Sequence, residues 1–221
     1  MSGIFGVASR SRCMEHLFYG TDYQSHLGTQ FAGLAIRGNR IHRQIHRIDR
    51  GQFKNMFDGF YHEYTGELGI GAISDSDPQP MVLGSRWGTF AVVTAGLITN
   101  AQQLGNKMIQ DGVTFSEILD GRINQTELVA KIIARGDDIV SGIEDVFEAI
   151  RGSVSLLVMT EDGIYAACDH GDRLPLAVGV SDEAVAVASE TCSFPNLGLE
   201  PKKYLQPGEV VFIDADGMQI R

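Results

Sequence analysis

Cysteine, tryptophan and long apolar runs are scarce in this chain of 221 residues. Its three cysteines, Cys13, Cys168 and Cys192, are far apart and form no C-x-x-C pair, which argues against a disulfide framework or a zinc knuckle. No run approaches the roughly 18 apolar residues of a membrane span, and no apolar export core follows a basic N-terminus. We therefore expect a cytoplasmic protein without a membrane anchor.

Basic residues are also in short supply. Lysine and arginine number 18 against 28 aspartates and glutamates, which gives a net charge of -10 and a pI near 5.0. Because nucleic-acid binding depends on basic side chains that neutralise phosphates, this balance argues against a nucleic-acid partner. The length and the apolar content of 43% predict one domain over residues 1–221.

Short apolar runs bounded by glycine or aspartate predict strands, several of them without alternation and hence buried on both faces. The predicted strands cover residues 3–8, 31–37, 68–73, 88–94, 153–159, 163–168, 175–180, 184–188 and 209–213. Three helices are predicted between them. The first follows a capping box at Thr114 and Glu117 and ends at Gly121, the second follows Asn124, and the third covers 139–150. Strands, then helices, then strands predict an α+β fold in layers.

Several short motifs occur in a characteristic order. They are Ser2-Gly3-Ile4-Phe5-Gly6, His26-Leu27-Gly28-Thr29-Gln30, Gly69-Ile70-Gly71, Gln79-Pro80, Thr94 to Asn100, Gln125-Thr126-Glu127, Pro175-Leu176, Ala188-Ser189-Glu190 and Pro207-Gly208-Glu209. This order resembles the glutaminase domain of class II glutamine amidotransferases, especially the amidophosphoribosyltransferase branch. The resemblance implies a four-layer αββα sandwich of the N-terminal-nucleophile hydrolase type.

The resemblance also implies where a glutaminase site would lie. In that family an N-terminal cysteine attacks the glutamine amide, its own α-amino group acts as the base, and an Asn-Gly pair stabilises the oxyanion. Here Ser2 falls at the nucleophile position, and Ala95 and Gly96 fall at the oxyanion position. Met1 would have to be removed to free the amino group of Ser2.

The substrate-binding positions that the resemblance implies are altered as well. Leu27 and Ser74 stand where the family has arginines, and Gln125 stands where it has an aspartate. Loss of one oxyanion donor costs about 10²- to 10³-fold in rate, and each lost hydrogen bond to a charged substrate group costs roughly 1.5 to 3 kcal/mol. We therefore predict a non-catalytic regulatory, binding or structural subunit.

An alternative stays open, because serine serves as an N-terminal nucleophile in other hydrolases of this fold. Under it, the chain is an N-terminal serine hydrolase or amidotransferase that acts on glutamine or another small amide. In the relatives the domain is fused to a transferase or synthase, so we expect the acceptor of ammonia to be a separate synthase or transferase subunit. Self-association also stays open. No cofactor or metal is predicted.

A basic segment, residues 37–54, contrasts with the acidic remainder. It holds six basic residues and one acid, a local charge of +5, which leaves -15 on the rest of the chain. Such a segment could dock an acidic partner or a small phosphate, but a solvated edge strand or turn whose charges discourage edge-to-edge pairing is the simpler interpretation. His42 and His46 would share one face of a helix; without a third ligand they predict no metal site.

Overall fold

The computed structural model describes residues 2–171 and 173–221, so the prediction about Met1 lies outside the described residues. The strands in chain order are β1 Ser2–Ser9, β2 Phe31–Arg37, β3 Ile41–Arg47, β4 Leu68–Ser74, β5 Met81–Ser85, β6 Gly88–Ile98, β7 Ile118–Leu119, β8 Arg122–Ile123, β9 Gly152–Met159, β10 Ile164–Cys168, β11 Ala177–Val180, β12 Ala184–Ala188, β13 Glu200–Tyr204, β14 Val210–Asp214 and β15 Gly217–Ile220. The helices are α1 Met14–Asp22, α2 Phe53–Glu63, α3 Ala101–Gln110, α4 Gln125–Ile133 and α5 Ile139–Ala149.

Two large sheets form the centre of the molecule. The first has the order β13-β11-β12-β1-β4-β2-β3 and the second the order β15-β14-β10-β9-β6-β5. Side chains of both sheets share one core, and separate apolar clusters lie between the first sheet and α1 and α2 and between the second sheet and α3 to α5. This arrangement confirms the predicted αββα sandwich.

Strand β1 shows why alternation was absent from the sequence. Ile4 and Ala8 lie in the core between the sheets, whereas Phe5 and Val7 pack on the helix side. A strand that is covered on both faces needs apolar residues at every position. All eight residues of β1 are accordingly buried.

Glycines in β4 let α1 approach the sheet closely. A Cβ atom at Gly69 would lie 2.7 Å from Cδ2 of Leu17, and one at Gly71 would lie 2.1 Å from Oγ1 of Thr21. Both distances are too short for real side chains. Helix α1 therefore packs directly on backbone at this point, which holds β1 and β4 in register beneath it.

Two local predictions are wrong. The helix expected from Thr114 to Gly121 is a loop that leads into the hairpin β7–β8, because Asp120 and Gly121 have φ angles of 51° and 76°. Two successive positive φ angles are typical of a tight hairpin turn and end a helix. His42 lies on strand β3, not on a helix, and so does His46. Among the described residues, none of the helices combines the length and the apolarity needed to span a bilayer.

Candidate functional site

Ser2 lies at the start of β1, near the middle of the first sheet. Its register partner on β4 is Ser74, and the Ser2 hydroxyl donates to Oγ of Ser74 over 3.4 Å. Oγ of Ser74 also accepts the backbone N–H groups of Ser76 and Asp77, each at 3.2 Å. Ser74 thus turns the chain from β4 into the segment that lies over Ser2.

Gly96 reaches Ser2 from the opposite sheet. It pairs with Val154 across the β6–β9 ladder and has a φ angle of 141°. A Cβ atom at Gly96 would lie 2.1 Å from the carbonyl oxygen of Ser153, so only glycine fits this position. The neighbouring residue, Ala95, points its methyl group into the core between the sheets.

The structure brings together only part of the predicted site. Ser2, Gly96 and Gln125 line one small cavity, and Ser74 contacts Ser2. Leu27 lies in a short 3₁₀ turn instead, against the backbone of β1: a Cβ atom at Gly3 would be 2.7 Å from its Cδ1. Leu27 and Ala95 do not line that cavity.

The cavity beside Ser2 is very small. Its volume is about 10 Å³. A water molecule needs about 10 to 15 Å³ on this measure, so the cavity holds one water at most. The other lining residues are Ser76, Asp77, Gln79, Thr94, Ile98 and Val154.

Gln125 and Asp77 line this cavity and contact each other. Oε1 of Gln125 accepts the N–H of Ile98 at 2.7 Å, and its Nε2 donates to Oδ2 of Asp77 at 3.3 Å. Burial raises the pKa of the Asp77 carboxyl, and hydrogen bonds from Ser76 and Gln125 offset part of that effect. Both functional groups of the Gln125 amide are therefore engaged within the protein.

Gln79, Thr94 and Thr126 form a hydrogen-bonded group beside the small cavity, which the sequence did not predict. Oε1 of Gln79 accepts the N–H of Thr94 at 2.7 Å, while its Nε2 donates to the Thr94 carbonyl at 3.0 Å. The Thr94 and Thr126 hydroxyls are 2.7 Å apart. The side chain of Gln79 thus acts as a strand partner for β6 and ties it to α4. The sequence shows the Gln79-Pro80 motif, but it does not show that the Gln79 side chain contacts Thr94.

Glu127 anchors the start of α4. Its carboxylate, 1% exposed as a residue, accepts the N–H groups of Ser116 and Glu117 and lies 3.3 Å from Nζ of Lys131. Burial alone would raise the pKa of Glu127, but these hydrogen bonds and Lys131 outweigh it and hold the pKa below its usual range. Glu127 therefore supports the fold around the cavity.

A larger, open cavity of about 700 Å³ lies beyond Gln125 and Asp77. It shares Ser76, Asp77, Ile98 and Gln125 with the small cavity, so the Gln125–Asp77 contact lies at the boundary between them. Charged side chains of both signs line it: Arg47, Asp75, Asp77, Asp120 and Arg122. This cavity has room for a small polar ligand.

Comparison with known sequences points to one family. Residues 67–196, more than half of the chain, match the glutamine amidotransferase domain family. The amidophosphoribosyltransferase of Methanocaldococcus jannaschii is 28% identical over 96% of this chain and 47% of that protein. Amidophosphoribosyltransferase 1, chloroplastic, of Arabidopsis thaliana is 31% identical over 98% of this chain and 39% of that protein. The chain thus spans about half the length, or less, of these relatives.

Solved structures agree with this assignment. The glutamine phosphoribosylpyrophosphate amidotransferase from B. subtilis, complexed with ADP and GMP, superposes with a TM-score of 0.87 at 25% identity, over 99% of this chain and 48% of that one. A class II domain protein from Silicibacter pomeroyi shares the fold, with a TM-score of 0.61 at 14% identity over 99% and 98% of the two chains. With its αββα sandwich and its match to the family over residues 67–196, the chain belongs to the class II glutamine amidotransferases.

Proposed function

We propose that this chain is a glutamine amidotransferase-like domain that does not hydrolyse glutamine and that acts as a regulatory, binding or structural subunit. The observation that carries the proposal is the small volume of the cavity beside Ser2. A volume of about 10 Å³ accommodates a water molecule but no carboxamide group. The amide of Gln125 and the carboxyl of Asp77, which line both this cavity and the larger one, are hydrogen-bonded to each other.

The chemistry of the six candidate positions supports the same conclusion. The side chain of Ala95 has no hydrogen-bond donor for an oxyanion. Leu27 and Ser74 carry no positive charge with which to hold a substrate carboxylate, and Gln125 carries no negative charge for an ammonium group. Catalysis of this kind depends on donors and charges that are fixed in advance around the reacting amide. Of the oxyanion pair, only Gly96 remains.

The setting of the subunit is part of the proposal. Because these relatives are named as amidophosphoribosyltransferases, we propose a synthase or transferase as the partner. We place the subunit, as one domain over residues 1–221, in the cytoplasm, and its charge of -10 disfavours nucleic acid. If the subunit binds a small polar ligand, the open cavity of about 700 Å³ can hold it.

Reinstating the nucleophile tests the loss of catalysis. The Ser2→Cys variant is expected to release no ammonia from glutamine above the level of Ser2→Ala, because the cavity and the substrate-binding positions are unchanged. Intact mass of each protein establishes whether residue 2 is the N-terminus. Glutamine-dependent ammonia release by Ser2→Cys, absent from Ser2→Ala, would contradict the proposal.

A second experiment separates the serine-hydrolase alternative, which the shared cavity of Ser2 and Asp77 favours. Under that alternative a fluorophosphonate probe forms a covalent bond to Oγ of Ser2, and labelling disappears in Ser2→Ala. We expect instead no mass increase on either protein. A probe adduct mapped to Ser2 would replace our proposal with the hydrolase.

A further inference from the structure

The open edge of the first sheet, strand β3, differs from the other edges of the two large sheets. It has seven residues and none of them is buried. The edge strands β5, β13 and β15 have five, five and four residues, and β13 also contains Pro201 and a register shift. Proline, bulges and shortness protect an edge from pairing. Within the described residues, β3 pairs only with β2 and has none of these protections.

The register shows which backbone groups of β3 are available. The N–H of Ile48 donates to the Gln30 carbonyl, and the N–H of Gly38 donates to the Arg40 carbonyl. These bonds place the residues of β3 that bond inward to β2 at even-numbered positions. The backbone N–H and C=O groups of the odd-numbered residues, Ile41, Arg43, Ile45 and Arg47, therefore point away from the sheet.

Aromatic contacts support the edge from one side. The His42 ring stacks on Tyr64 at 4.2 Å between centroids, and the His46 ring packs edge-on against Phe57 at 4.9 Å. Both contacts join β3 to the region of helix α2. A new strand would therefore meet a preformed edge, and little ordering would be needed on binding.

Positive charge concentrates along this edge. Of the six basic residues in segment 37–54, Arg47 pairs with Asp49 and Lys54 pairs with Asp22. Arg37, Arg40, Arg43 and Arg50 form no ion pair within the described part of the chain. Arg43 donates to the carbonyl oxygen of Pro80, a neutral acceptor. Arg43 thus keeps its guanidinium charge for a partner, whereas Arg47, whose side chain is 59% exposed, would exchange its ion pair with Asp49 for one with the partner's carboxylate.

We infer that β3 is a docking site for an extended acidic segment of another protein, which adds to the sheet as a further strand. A second copy of β3 is disfavoured, because an antiparallel pair centred on Ile45 would set Arg43 opposite Arg47 of the other copy. In an acidic strand, carboxylates would lie opposite Arg43 and Arg47, and these cross-strand pairs would attract. Arg43 and Arg47 share one face of β3, so the matching carboxylates are four residues apart. The inference does not depend on the proposed loss of catalysis, since it uses none of the six candidate site positions; Arg47 also lines the open cavity.

Peptide binding tests the chemistry of this surface. The probe is a blocked peptide of about nine residues, made of threonine and valine with two glutamates four positions apart. Fluorescence anisotropy is expected to show binding that weakens with salt, and lysines in place of the glutamates are expected to abolish it. The variant Arg43→Glu/Arg47→Glu is expected to bind at least about tenfold more weakly, since two attractive cross-strand pairs become repulsive. Arg12→Glu/Arg135→Glu, with the same change of net charge elsewhere on the chain, is expected to bind normally.

Amide hydrogen exchange tests strand addition itself. In the free protein the amides of Arg43, Ile45 and Arg47 are expected to exchange quickly, and the peptide is expected to slow them at least about tenfold. The amides of His42, Gln44 and His46 already donate to β2 and are expected to change little. A peptide N-methylated at its pairing amides is expected not to bind. Equal binding of the lysine or N-methylated peptide, absent protection at the odd positions, or tighter binding of a single-stranded oligonucleotide would overturn the inference.

Discussion

At the scale of single residues, the carboxyls of Asp77 and Glu127 are shifted in opposite directions. Burial dominates at Asp77 and raises its pKa, whereas donors and Lys131 dominate at Glu127 and lower its pKa. A raised carboxyl pKa means that the folded state resists ionisation, and a lowered one means that it favours ionisation. The two residues should therefore respond to substitution and to pH in opposite ways.

Asp77→Asn is expected to stabilise the protein at pH 7. The folded-state pKa lies above the ordinary value of 3.8, so the cost of ionising Asp77 grows as the pH rises from about 3.8 through the folded-state pKa. The amide removes that cost, and we expect the Tm to rise by roughly 2 to 4 °C at pH 7 and not at pH 3, which corresponds to about 1 kcal/mol. Asp145→Asn, at an exposed position of α5, is the control for charge. If the wild type is more stable than Asp77→Asn at pH 7, the raised pKa of Asp77 is contradicted.

Glu127→Gln is expected to destabilise the protein by about 3 kcal/mol at pH 7, because an amide cannot replace a carboxylate that accepts from Ser116 and Glu117. The folded-state pKa of Glu127 lies below 4.5, so this stability is present above about pH 4.5 and is lost as the pH falls through the folded-state pKa. Urea unfolding at pH 7 and pH 3 measures the difference. Exposed Glu148→Gln should have little effect at either pH; an equal loss at both pH values for Glu127→Gln would count against its ionised role.

At the scale of elements, the contact between α1 and β4 sets a sharp limit on side-chain size. Gly71→Ala would place a methyl group 2.1 Å from Oγ1 of Thr21, and we expect a loss of about 3 kcal/mol, seen as a lower urea midpoint. Gly84→Ala on β5 is the matched control, since a Cβ atom there meets nothing within 4 Å. It should stay within about 0.5 kcal/mol of the wild type. Similar midpoints for both variants would show that α1 moves freely on the sheet.

Capping explains which helices the sequence predicted. Helix α4 begins with Asn124 accepting the N–H of Glu127, and α5 begins with a capping box between Asp138 and Ser141; both helices were predicted. Helices α1, α2 and α3 have no side-chain hydrogen bond at their N-caps and were missed. The false helix at Thr114 carried a capping box in its sequence, but the turn at Asp120 and Gly121 prevailed. The predicted strands were found because buried strands are apolar throughout.

The sequence predicted only those site residues that belong to motifs in the characteristic order. The meeting of Ser2 and Gly96 followed from the resemblance, and both line the small cavity. The contacts of Asp77 and Gln79 join segments up to 48 residues apart, and no local pattern encodes which partner a polar side chain will find. For the same reason the sequence did not show that Leu27 lies against Gly3, outside the small cavity.

At the scale of the whole molecule, charge is divided between one basic edge and an acidic remainder. The simpler interpretation of segment 37–54, an edge strand with protective charges, is confirmed in its geometry, because β3 is the edge of the seven-stranded sheet. What the charges do at that edge stays a prediction. If they keep the molecules apart, neutral side chains of high strand propensity should let two edges pair.

The double variant Arg43→Thr/Arg47→Thr is therefore expected to self-associate. Threonine favours strands, and without the two guanidinium groups of β3 its unpaired N–H and C=O groups meet less repulsion from a second copy. Sedimentation velocity over a range of concentrations should show a shift to a larger species for this variant and little change for Arg12→Thr/Arg135→Thr, which loses the same charge elsewhere. Higher salt should increase association of the wild type, since it screens the same repulsion. A double variant that sediments like the wild type at every concentration would mean that geometry, and not charge, keeps this edge unpaired.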